Sequence, residues 1–187
     1  MLTETNRDVL TRLIGQKALV LYALYDAAQD NTLLADLQRT DITHDCLFAG
    51  YKAITLRNVA PYLVSCADFH GNAQDFLETI WQRGVSMLVE AAAPAEQVRL
   101  QLKKNAYVKN SDGIQCYFRY YDARAFSRFM RAATNAQLCH LFGNAICTIY
   151  WHDTTTDAIA SLSRKTPGLI GRLFDPGNAH FDIQTLS

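Results

Sequence analysis

The sequence predicts an α/β protein of the α+β kind: a mixed sheet carrying an antiparallel hairpin, flanked by helices, with room for a small C-terminal helical extension. Three observations lead there. Helix-period and strand-period segments alternate along the chain. The run from Ala18 to Tyr25 is apolar without alternation, as in a strand covered on both faces. Finally, the turn NSDG at 110–113 joins AYVK to GIQCYFRYY, two strand-like runs that can only pair antiparallel. With 187 residues, 49% of them hydrophobic and 19% charged, the chain can bury a substantial core.

The elements follow in order. In NRDVLTRLI, residues Val9, Leu10, Leu13 and Ile14 share one helical stripe, and Gly15 is a natural stop. The apolar strand then ends at Asp26. A short helix begins at Leu33–Leu37, CLF at 46–48 suits a brief strand, and Pro61 heads another in VAPYLVSC. NAQDFLETIWQRG is a helix with Phe76, Leu77, Ile80 and Trp81 inward and Gly84 closing it. VSMLVE alternates Val85, Met87 and Val89 toward a core, and Pro94 suits the first turn of PAEQVRLQLKK.

After the hairpin, AQLCHLFGN reads as a helix and AICTIYW as a strand. TTDAIASLSRK is expected to be helical, ending at Thr166-Pro167-Gly168, with loop and tail beyond.

Net charge is zero, which argues against a dedicated nucleic-acid binder. The charge is nonetheless segregated. Residues 99–131 hold eight bases (Arg99, Lys103, Lys104, Lys109, Arg119, Arg124, Arg128, Arg131) against Asp112 and Asp122. Such a segment either solvates two helices or faces an acidic partner surface. The five cysteines are odd in number and none forms C-x-x-C, so reduced thiols in the cytoplasm are expected. The opening MLTETNRDVL is too polar for a secretory leader, and no apolar run approaches the ~20 residues that cross a bilayer.

Phosphate-binding, zinc-protease and nucleophile-elbow motifs do not occur, and no cofactor is expected. Cys139, His140, Cys147 and His152 lie close in sequence, but their spacing suits buried cysteines better than zinc. Cys116, Phe118 and Tyr120 occupy one apolar face of a strand, a core position that disfavours a reactive Cys116 thiolate.

In CYFRYYDARAF (116–126) the period changes from two to 3.6. Phe126, Phe129, Met130 and Ala133 fall at i, i+3, i+4 and i+7, with Arg124, Arg128 and Arg131 opposite. Asp122 therefore stands at a helix N-cap, and Arg119, sharing a strand face with Tyr117 and Tyr121, can pair with it. Asp26 and Asp122 are thus structural junction residues. Arg119, Tyr121, Arg124, Arg128 and Arg131 are the candidate protein-binding residues.

The ordered set YALYDAAQ, LF with APYLV, WQRGVSMLV, FRYYDAR and LFGN before a Trp-ending strand resembles the type VI secretion effector adaptor family, also called effector chaperones, over about residues 19 to 152. The family tends to read Asp-Pro-Arg where this chain has Asp122-Ala123-Arg124. The resemblance implies a non-enzymatic adaptor in bacterial cytoplasm that binds an effector toxin and helps load it onto the VgrG spike, with neither nucleic acid nor membrane as partner. Residues 1–152 would form the adaptor domain, and 153–187 a C-terminal helix and tail, with room for a small lobe. Two alternatives compete: a small hydrolase or transferase with a pocket near Asp26 and Asp122, and an RNA-binding module stacking bases on Tyr117 and Tyr121.

Overall fold

The computed structural model describes residues 4–15, 19–67, 70–153, 158–165 and 180–186. Its centre is a seven-stranded sheet in the order β2-β3-β1-β4-β7-β8-β9. The strands are β1 (Val20–Asp26), β2 (His44–Cys46), β3 (Pro61–Ser65), β4 (Ser86–Ala91), β7 (Ile146–Asp153), β8 (Ala158–Lys165) and β9 (His180–Leu186). Every pairing among the described residues is antiparallel. The class is α+β, as expected. The hairpin of β5 (Tyr107–Lys109) and β6 (Gln115–Tyr117) forms a separate two-stranded sheet.

Alternate side chains on β1 enter opposite layers. Leu21, Ala23 and Tyr25 pack with α1 (Glu4–Gly15), α2 (Leu34–Arg39) and α4 (Asn72–Gln82). Tyr22 and Leu24 belong to the core shared with α5 (Ala95–Asn105), α6 (Ala123–Met130) and α7 (Asn135–Phe142). This two-sided cover is why the strand is apolar throughout. β4 repeats the arrangement, with Met87 and Val89 on one side and Leu88 on the other. Pro61 heads β3, and Pro94 sits just before α5 as its N-cap.

The helix stripes are where periodicity puts them. Phe76, Leu77, Ile80 and Trp81 of α4 are buried, and Gly84 ends that helix region in the left-handed conformation at φ 67°. On α1, Leu10 and Leu13 are buried. Gly143, at φ 52°, closes α7, and any Cβ there would run into the Gln101 side chain. That amide donates to the His140 and Leu141 carbonyls at 2.6 and 3.2 Å, tying α5 to the end of α7.

Three expectations need correction. TTDAIASLSRK is not helical: Ala158–Lys165 is β8, paired with β7 from Thr148–Ser163 to Asp153–Ala158. The tail is not all loop, because His180–Leu186 forms β9 against β8. Cys116 is exposed, since its hairpin stands off the main sheet. The brief strand near Cys46 lies two residues earlier than expected. The short helix α3 (Tyr51–Thr55) and the 3-10 turn Arg57–Val59 were not anticipated. The expected stop at Thr166-Pro167-Gly168 and the start of the apolar run at Ala18 lie outside the described residues, as does the side chain of Val9.

β8 carries the core past residue 153: Leu162 is fully buried and Ile159 nearly so, in opposite layers. Leu162→Ala is therefore expected to cost about 2–5 kcal/mol in urea unfolding monitored by circular dichroism. A separate C-terminal lobe would instead leave the main transition unmoved.

Candidate functional site

The junction around residues 116–126 is built from its backbone turn. The Asp122 N–H donates to the Arg119 carbonyl at 3.1 Å, reversing the chain between the hairpin and α6. Asp122 is the N-cap, accepting from the Arg124 N–H at 3.0 Å. The Arg124 guanidinium closes on the same carboxylate from Nε and Nη2, at 3.0 and 2.9 Å. Phe126 then anchors α6 edge-on against Trp151 of β7, ring centroids 5.0 Å apart.

Arg119 reaches across the fold. Its Nη2 donates to Asp26 Oδ2 at 2.6 Å and lies 4.0 Å from Asp122 Oδ2, so the expected Arg119–Asp122 pair is the looser contact. Asp26, the last residue of β1, is fully buried. It also accepts from the Ala28 N–H and from Gln29 Nε2, at 3.1 and 3.0 Å. A ladder Arg124–Asp122–Arg119–Asp26 thus links α6 to the middle of the sheet.

Burial pushes the Asp26 carboxyl up from its ordinary value, and the hydrogen bonds and charge of Arg119, with Gln29 and Ala28, only partly offset this. Burial also works upward on Asp122, but there the Arg124 side chain, the Arg124 N–H and the two arginine charges win and lower it.

An aromatic cluster adjoins the ladder. Arg119 stacks over the Tyr121 ring at 5.8 Å, and the Tyr121 and Tyr117 hydroxyls are 2.9 Å apart. Tyr117 meets Phe48 and Tyr107 edge-on, and Lys52 of α3 donates to the Tyr107 hydroxyl at 3.2 Å. Tyr121 is only 2% exposed, so it is a buried brace and not a contact residue, nor a platform for a base. Arg119 is engaged in the ladder. Of the predicted binding residues, Arg124, Arg128 and Arg131 lie on the exposed face of α6 or just past it. Asp26 and Asp122 are both brought to Arg119. Their oxygens are turned to protein donors, and Asp26 has no solvent-exposed surface.

The sequence reading missed the exposed apolar surface of α3. None of its residues is buried; Tyr51 is 79% and Ile54 73% exposed, and Leu56 and Val59 follow, also exposed. Tyr51 and Ile54, three apart, share a helix face. A five-residue helix gives too short a period to be seen in advance. Among the described residues no group of three or more His, Cys, Asp or Glu could hold a metal ion, and no helix is long and apolar enough to cross a membrane.

The molecule is therefore an antiparallel-sheet α+β domain whose charged junction braces an exposed hairpin and helix. It belongs to the family described as Domain of unknown function (DUF4123), whose profile matches residues 21–140, from β1 into α7. No curated protein and no solved structure was found to match the chain.

Removing Arg119 would strand a buried carboxylate. Arg119→Ala is expected to cost about 2–3 kcal/mol, below the range for a wholly buried pair because Arg119 is 39% exposed and partly screened. Arg128→Ala should stay within about 0.5 kcal/mol. Chemical denaturation of both variants checks the contrast.

For Asp122 the folded carboxyl lies below its unfolded value of about 3.9, so its stabilisation is full above that pH and fades as pH falls through the lower folded value. Asp122→Asn should accordingly be less stable than wild type at neutral pH. The gap should narrow in acid, as read from unfolding midpoints across a pH series.

Proposed function

We propose that this protein is a non-enzymatic cytoplasmic adaptor that binds a type VI secretion effector and helps load it onto the VgrG spike. The observation that carries the reading is α3: a helix that buries nothing yet displays Tyr51 and Ile54, with Leu56 and Val59 beside them. An apolar surface held out on a fold that does not need it for its own core fits a partner interface. Membership of the DUF4123 family and the ordered motifs from YALYDAAQ to LFGN support the same reading. The ladder's role in it is to hold the hairpin and α6 rigidly against the sheet.

The test is gentle co-purification of the tagged chain from its native bacterium with the secretion genes expressed. A toxin-like effector together with a VgrG protein is the expected catch. The chain recovered without either would refute the adaptor reading. In the same assay, Tyr51→Glu combined with Ile54→Glu should lose at least one partner while the melting temperature stays within about 2 °C, because neither side chain contributes to the core.

A further inference from the structure

A second surface differs from α3 in being concave. A groove of ≈ 440 Å³ runs between the β5–β6 hairpin and helices α6 and α7. Val108, Phe118, Phe129 and Leu141 form its apolar lining, and Lys109 and His140 stand with them. Among the described residues, no carboxylate lines it. Its amides are already committed: Asn105 Nδ2 donates to the Leu141 carbonyl at 2.7 Å and its Oδ1 accepts from Gln101 at 3.0 Å. Gln137 is held in the capping box that starts α7. A small polar molecule would thus find few groups free to orient it, whereas binding sites for such ligands rely on a few well-placed polar groups.

The surroundings are basic. Lys109, which ends β5, lines the groove, and exposed Lys104 stands in the last turn of α5 beside the lining residue Asn105. Apart from the N-cap Asp122, the one acid in residues 99–131 is Asp112, in the hairpin turn. An apolar trough with a cationic rim is complementary to a segment with an apolar stripe and acidic flanks.

We propose that this groove seats an acidic amphipathic helix of a partner protein, its apolar stripe on Val108, Phe118 and Phe129 and its carboxylates toward Lys109. The inference rests on the adaptor reading, since it names what kind of segment such a partner presents. A protein segment is favoured over a nucleic acid because the lining is apolar and the chain as a whole has no net charge.

The probe is a short fluorescein-labelled synthetic peptide with Leu at i, i+3, i+4 and i+7 and Glu on its other faces, followed by fluorescence anisotropy with the full chain. Two controls carry Lys in place of Glu, or the same residues in scrambled order. Saturable binding of the acidic peptide is expected, at least about tenfold tighter than either control. Val108→Glu should weaken it about tenfold or more. Val108 is exposed, so an unchanged melting curve confirms that the variant folds. Lys109→Glu should weaken it about threefold and flatten its salt dependence.

The proposal is overturned if the acidic peptide does not bind, if it binds no better than the controls, or if Val108→Glu leaves binding unchanged. Preferential binding of a single-stranded oligonucleotide that Val108→Glu abolishes would overturn it too. A Val108→Glu chain that still co-purifies an effector and spike would sink the groove and leave the adaptor reading standing. Peptide binding by a chain that captures neither partner would do the reverse.

Discussion

The contact on which the rest of the junction depends is Arg119 on Asp26. A carboxylate with no exposed surface, at the end of the strand between β3 and β4, is tolerated only because a cation and two further donors meet it. The arginine that does so lies 93 residues further along the chain. Its demand for that position fixes where the hairpin ends, where α6 begins, and how Tyr121 lies beneath the guanidinium. Asp122 and Arg124 then complete the charge balance on the outer side. Electrostatics here adds a directional contact between elements that also share the apolar core of Tyr22, Leu24, Tyr121 and Phe126.

Around that contact the layers are ordinary and strong. Two apolar cores sandwich the sheet, and the aromatic rings of Phe126 and Trp151 clamp α6 to β7. The surfaces offered outward are of another kind. The hairpin strands and α3 expose their side chains almost throughout, and they are joined by the Lys52–Tyr107 and Phe48–Tyr117 contacts. The hairpin and α3 thus form one exposed patch that is apolar and aromatic, with Lys52 at its centre.

Much of this was legible in the residues. The α4 stripe, the closing Gly84, the N-cap Asp122 and the two-faced burial of β1 all follow from period and cap chemistry acting locally. β8 was misread because Ala, Ser and Thr after an Asp suit a helix start as well as a strand, and pairing with β7 decided the matter. Cys116 was misplaced for a related reason: alternation reports two faces but not which sheet lies behind them. The Asp26–Arg119 pair could not be foreseen, since nothing in local spacing links residues so far apart. Tyr121 looked like a surface residue until that pair drew it inside.

The β4–β7 ladder shifts register between Glu90 and Ala91. β4 lies within the stretch that the family profile matches and β7 beyond it, so this bulge falls on the seam between matched and unmatched chain. A strand joining there must accept an offset of one residue or present its wrong face to the core. The seam is keyed. Grafting another C-terminal segment onto residues 21–140 would require a strand cut to that key, and without one the edge of β4 would be left open to self-association.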